Sequence, residues 1–158
     1  MQNLKNLLTT SLPRQSLYRV VTILVLAILG FSDATYLTIK HLKNIVPPCG
    51  ITAGCETVLT SQYSDIFGIP VALLGAIFYL MIAIGCLIYL ESKNQKIIKY
   101  TFLFSIFGFI AALWFVFLQI FILKAYCVYC LFTAGISASI FILSYTTFCS
   151  RLNTQGKK

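Results

Sequence analysis

The residues best suited to chemistry in this chain are four cysteines in two pairs. Cys49 and Cys55 flank the small, glycine-containing stretch Gly50-Ile51-Thr52-Ala53-Gly54, and Cys127 and Cys130 form a Cys-Val-Tyr-Cys motif. A thiolate that attacks a disulfide passes through a mixed disulfide, so two thiol pairs in reach of one another can hand on electrons and disulfides. The Cys127 motif sits where an apolar segment begins. A helix starting there would present unpaired N–H groups and its positive dipole end to the first sulfur, which favours the thiolate. Lys124 adds positive charge three residues earlier. Each pair has a plainer reading. Cys49 and Cys55 can form a static disulfide that staples a loop, as extracytoplasmic cysteines often do. Four cysteines can also hold structural zinc, but the five-residue gap fits poorly with the usual two- to four-residue knuckle, and no metal is expected.

The elements that must position these thiols are membrane helices. Of the 158 residues 59% are hydrophobic and only 10% charged, against about 25% charged in ordinary soluble domains. Only Asp33 is charged between Arg19 and Lys40, and no charge occurs from Asp65 to Glu91, Lys99 to Lys124 or Lys124 to Arg151. Runs of this length cross a hydrocarbon core of ~30 Å as helices. They lack the alternation of barrel strands. The chain therefore reads as an all-α integral membrane protein, one domain over 1–158. Its four spanning helices fall at about 18–39, 67–90, 100–123 and 126–149, with a cysteine-bearing outer loop at 40–66. The first span reads as retained rather than cleaved, because its apolar pattern continues through Ala34, Tyr36, Leu37 and Ile39 without a clear cleavage site.

Lysine and arginine set the orientation. Lys5, Arg14, Arg19, Lys93, Lys96, Lys99, Arg151, Lys157 and Lys158 fall on one side; Lys40, Lys43 and Lys124 fall on the other. Both termini are expected in the cytoplasm, with all four paired cysteines outside, where disulfides persist. Cys86 and Cys149 lie within or at the inner ends of spans and read as packing residues or a free interfacial thiol. The net charge of +8 is mostly topology. Its basic residues are scattered, form no dense aromatic-interleaved patch and point to no nucleic-acid partner, while contact with anionic lipid is expected.

Several other residues are candidates. Asp33 is an intramembrane carboxylate, costly and often functional, and a candidate for managing protons or contacting a cofactor. The plainer reading bonds it to Ser32, Thr35 or a neighbouring helix. Gln119 reads mainly as an interhelical hydrogen-bonding group, and His41 as a headgroup-level residue with a possible catalytic role. Cys55–Tyr63 is expected to form a short interfacial helix with Val58 and Leu59 facing lipid. Gly68-Ile69-Pro70 is expected to open the second span, with Pro70 in its first turn.

These motifs together resemble the vitamin K epoxide reductase family in its bacterial form. The resemblance rests on Cys49 and Cys55, then Glu56-Thr57-Val58-Leu59-Thr60-Ser61, Ile66-Phe67-Gly68-Ile69-Pro70-Val71-Ala72-Leu73-Leu74-Gly75, and Cys127-Val128-Tyr129-Cys130. It implies a four-helix bundle around a quinone, either ubiquinone or menaquinone. It implies a membrane thiol:quinone oxidoreductase of the bacterial inner membrane that reoxidises a separate periplasmic thioredoxin-like, DsbA-type protein, since the chain ends at Lys158 without room for a fused domain of that kind. By the same resemblance Cys49 exchanges with the partner, Cys55 passes electrons to Cys127, Cys130 faces the quinone, and Ser61 lies near its head. Ser61 could instead make only a hydrogen bond within the interfacial helix. Ser64 and Ala134 stand where animal members have an asparagine and a tyrosine, which points away from epoxide reduction and toward quinone reduction. The competing class is a structural or transport membrane subunit whose disulfides only staple loops.

Overall fold

A computed structural model describes residues 14–43, 45, 54–66, 68–92 and 94–155. Cys49, with Gly50 to Ala53, lies outside the described residues. Among the described residues five α-helices form in chain order: α1 (Arg14–Leu42), the short α2 (Gly54–Leu59), α3 (Val71–Ser92), α4 (Gln95–Phe117) and α5 (Val128–Gln155). A π-helical turn, Leu118–Leu123, continues α4, and two-residue strands β1 (Asp65–Ile66) and β2 (Ile69–Pro70) precede α3. Four of these stretches, Ser16–Leu42, Val71–Ser92, Lys96–Leu123 and Val128–Ser150, are long and apolar enough to cross a membrane. The chain is thus a multi-pass membrane protein, with backbone hydrogen bonds satisfied inside each span.

The helices overrun the apolar runs because hydrogen bonding, not hydropathy, sets their ends. Helix α1 continues to Leu42, with Lys40 and His41 in its last turn, where positive charge suits the dipole. Helix α4 starts at Gln95 because the Asn94 side chain caps it, accepting from the Lys96 N–H at 3.0 Å, as N-cap residues do. The entry to α3 differs from expectation. Residues 68–70 are not helical: Gly68 turns the chain with φ of 77°, and Asp65 pairs with Pro70 and Ile66 with Ile69 in an antiparallel register. Pro70 has no N–H to donate and closes a strand edge. The helix then begins at Val71, whose N–H donates to the Ser64 carbonyl at 2.9 Å.

Helix α1 packs on α3 and α5, and α4 packs on α5 and α3, closing a four-helix bundle. Gly30 on α1 leaves room for the Tyr79 ring of α3, since a Cβ there would lie 2.7 Å from that ring. At the end holding the α1 N-terminus the interior is filled by Val20, Ile23, Ile82, Cys86, Tyr89 and Ile140. Cys86 is a buried packing residue there, as its sequence context suggests. Outward faces carry Leu87, Leu103, Leu113 and Phe132, all exposed, as lipid-facing helices require. At the opposite end the bundle does not fill, and a cavity remains.

Candidate functional site

The cavity is about 420 Å³ and apolar, bounded by the C-terminal half of α1, the N-terminal half of α3, the end of α4 and the start of α5. Its apolar wall includes Leu37, Phe78, Phe107 and Phe115; Gly108, Ala111 and Ala112 leave room. Its polar lining comes from Cys130, Gln119, Tyr79, Ser137, Ser61 and His41. A flat, lipid-soluble ring with two carbonyl oxygens fits such a space, with apolar walls for the ring and a few placed polar groups for the oxygens.

The thiol pair stands at the start of α5. Cys127 is fully buried and Cys130 partly so, and both are free thiols. The Cys127 carbonyl accepts the Leu131 N–H at 3.0 Å, which makes Cys127 the N-cap of the helix. Its sulfur is held toward the thiolate. The Cys130 thiol donates to it and brings it from 9.0 down to about 7. Burial opposes this, the backbone N–H groups of Cys130 and Tyr129 support it, and the Asp33 carboxylate opposes it. The helix N-terminus therefore acts on this sulfur as the motif's position predicts, but the largest contribution comes from the other cysteine.

Gln119 completes the cap. Its side chain is buried, and its Oε1 accepts the Cys127 N–H at 3.0 Å. The π-helical turn makes this possible, because it displaces Gln119 from the regular α-helical ladder. Its carbonyl instead accepts the N–H groups of Lys124 and Ala125, with Lys124 in a left-handed conformation, φ 48°. Such π turns often mark functional positions. A polar residue within an apolar span signals Gln119 in the sequence, but its partner is the thiol motif's own backbone.

Cys55 is fully buried in α2 and disulfide-bonded. Its helix rests against the segment before the CxxC motif. At Gly54 a Cβ would lie 2.6 Å from the Tyr126 nitrogen and 2.7 Å from its oxygen, so only glycine allows this approach. Val58 and Leu59 line the cavity rather than face lipid. The correction has a physical cause: α2 folds in over the bundle's open end, and its apolar side covers the cavity. Helix α2 stops at Leu59, short of Tyr63, and a turn follows in which the Ser61 Oγ donates to the Val58 carbonyl at 2.8 Å. Ser61 thus makes the local bond and also lines the cavity.

Asp33 is not among the cavity-lining residues. Its Oδ2 is buried with no hydrogen-bond partner among the described residues, as is the Thr35 hydroxyl, while Ser32 donates to the Ile28 carbonyl. The local pairing considered for Asp33 does not form, and the carboxylate instead faces the field of Cys127. Ser64 and Ala134 both lie in the cavity wall. His41 is not a lone headgroup residue: its Nε2 meets Asp65 Oδ1 at 3.0 Å. Lys40 lies over the Tyr36 ring at 5.5 Å, and Tyr36 contacts Tyr129 beside the motif. Cys149 is exposed near the far end of α5.

A buried thiol held toward the thiolate, paired with a second thiol in the wall of an apolar cavity within a multi-pass helical bundle, supplies the parts of a membrane redox enzyme. The Vitamin K epoxide reductase family matches residues 21–145, from the first spanning helix well into the last, and the chain belongs to that family. It is accordingly an oxidoreductase of a family that uses quinone and works with thioredoxin-like partners. A search of curated proteins finds no match.

Proposed function

We propose that this protein is a thiol:quinone oxidoreductase that reoxidises a periplasmic thioredoxin-like disulfide donor, with Cys49, Cys55, Cys127 and Cys130 as the relay. The observation that carries the reading is the packing of the Cys55 helix, through Gly54, against the residue preceding Cys127, at a cavity whose wall holds Cys130. The partner's thiolate attacks Cys49 of a Cys49–Cys55 disulfide and releases Cys55 as thiolate. Cys55 attacks Cys127 of a Cys127–Cys130 disulfide, forming a mixed disulfide and releasing Cys130. The partner's second thiolate attacks the partner's own sulfur in the mixed disulfide with Cys49, so the partner leaves oxidised and Cys49 is freed as thiolate. Cys49 then attacks Cys55 of the Cys55–Cys127 bond, and Cys127 leaves as thiolate, a leaving group favoured by its lowered pKa. A quinone in the cavity accepts two electrons as the Cys127–Cys130 bond re-forms.

The chain's own residues support each requirement. Gln119 holds the Cys127 backbone N–H, the amides of Tyr129 and Cys130 hold its sulfur, and the apolar wall excludes water from the electron transfer. Gln119 is the polar side chain placed to face a ring oxygen, Ser61 lines the same wall near the ring's head, and Asp33 tunes the thiols from outside the cavity. The site end lies opposite the ends bearing Arg19, Lys96 and Lys99, which supports a periplasmic site with cytoplasmic termini in a bacterial inner membrane. Residues 1–158 are read as one such domain.

The test is quinol formation by the purified protein in nanodiscs with a reduced DsbA-type protein as electron donor. Wild type turns over, and alanine at any of the four positions stops the full reaction. A Cys130→Ala protein that still reduces quinone at the wild-type rate would refute the assignment.

A further inference from the structure

Among the described residues, His41 is the titratable side chain of the cavity wall that also borders a second space. That outer cavity, also about 420 Å³, is lined by Lys40, His41, Gln62, Asp65 and neighbouring residues, and it shares Leu37, Leu59, Ser61 and Ser64 with the inner one. Asp65 comes from β1, is 43% exposed, and holds the His41 Nε2 at 3.0 Å; the His41 side chain is 25% exposed. One imidazole thus stands between the apolar cavity and a polar recess that opens outward. The carboxylate fixes a proton on Nε2, which leaves Nδ1 as the atom that gains and loses one.

We propose that His41, oriented by Asp65, delivers a proton from the outer aqueous phase to quinone bound in the inner cavity. The proposal rests on the thiol:quinone reading above and deepens it. The balance requires such a group. Closing the Cys127–Cys130 bond from one thiolate and one thiol releases two electrons and a single proton, that of Cys130. Hydroquinone takes up two electrons and two protons, so one proton must enter from elsewhere. The hydroxyls at the cavity are engaged: Ser61 donates to Val58, Ser64 to Ser61 and Thr133 to Cys130 or Tyr129, all carbonyls, and the Tyr79 hydroxyl pairs with Ser137 and the Thr133 carbonyl. Histidine is the side chain that ordinarily exchanges protons near neutral pH. The other titratable groups facing these spaces are Lys40 on α1, Asp65 on β1, Tyr63 in the turn and Cys130 on α5; the lining from α3 and α4 adds only Tyr79. Among the described residues none of these borders both cavities.

The chain has one histidine, so histidine labelled with carbon-13 gives one imidazole resonance in protein prepared without a histidine tag. In nanodiscs the chemical shift of that resonance should move when decylubiquinone is added, and Asp65→Asn, which removes the 3.0 Å partner of Nε2, should move it as well. In single-turnover reactions of the reduced protein, His41→Phe should slow quinol formation by about 10²-fold, within the range for general acid catalysis. Added imidazole should restore part of the rate, while decylubiquinone binding stays within twofold of wild type. A resonance that does not respond to quinone overturns the proposal. So does a His41→Phe rate within twofold of wild type, or a loss that accompanies lost quinone binding and resists imidazole, which marks a structural clamp. A wild type that forms no quinol overturns the parent reading instead, so the two failures are distinguishable.

Discussion

The contact between Gly54 and Tyr126 makes a sharp prediction about Gly54→Ala. An added Cβ would stand 2.6 Å from the Tyr126 nitrogen and 2.7 Å from its oxygen, where ordinary contact begins at 3.4 Å. The obstacle is backbone on the segment leading into Cys127, so no side-chain rotation relieves it. Helix α2 or residues 124–127 must give way by about 0.8 Å, the shortfall of the shorter contact. Sulfur exchange needs the reacting atoms about 3–3.5 Å apart and in line, and a 1 Å misplacement can cost about 10²-fold. The expected loss is therefore roughly 30- to 100-fold in transfer between Cys55 and Cys127. Alanine is the better helix former by about 1 kcal/mol, so weakened local helix structure does not account for a loss. The assay is attack of the Cys55 thiolate on the oxidised Cys127–Cys130 pair in a Cys49→Ala background, with the released Cys130 thiol trapped by alkylation and the Cys55–Cys127 linked peptides identified by mass. Quinone binding, which depends on the cavity wall, should stay within twofold. Mixed-disulfide formation within twofold of the Gly54 parent would show that this approach does not set the transfer distance.

Further outcomes follow from the same geometry. The thiolate absorbance of the reduced protein should appear as pH rises through about 7. Its midpoint should move up in Cys130→Ala, which removes the hydrogen bond that lowers it most. It should move down in Asp33→Asn, which removes a negative charge opposing the thiolate. Gln119→Leu leaves the Cys127 N–H buried without its acceptor, a penalty of about 1–3 kcal/mol; thermal unfolding in detergent should fall, and Gln119→Glu should recover much of the difference. Ala112→Phe fills the cavity and should raise the KM for quinone by about tenfold or more, equivalent to about 1.4 kcal/mol. Partner-driven reduction of the loop pair should be unaffected by that change.

The sequence was legible where the physics is local or one-dimensional. Charge-free runs must be helices in a membrane, and all four spans appear, extended at their ends by capping at Asn94 and by the polar last turn of α1. A CxxC motif at the start of an apolar run places a sulfur at a helix N-terminus, and Cys127 is that N-cap. What spacing could not show were contacts between segments far apart in the chain. Ile69 and Pro70 were read as helix because proline suits a first turn, but Gly68's positive φ let them fold back on β1. Val58 and Leu59 were assigned to lipid because apolar residues at a membrane surface have two places to go, and only the folded bundle exposes a cavity for them to cover. Gln119 pairs with Cys127 because a π-helical turn intervenes, a ladder defect that residue periodicity does not encode.

The paired cysteines themselves divide in the same way. Sequence alone determined their number, their spacing and the membrane in which they must work, since these follow from residue type and hydropathy. Tertiary structure decided that the Cys55 helix abuts the entry to the CxxC motif, that Cys130 lines a cavity, and that His41 meets Asp65. Each of these depends on close packing between chain segments, where a single glycine hydrogen or one displaced helical turn decides which atoms touch.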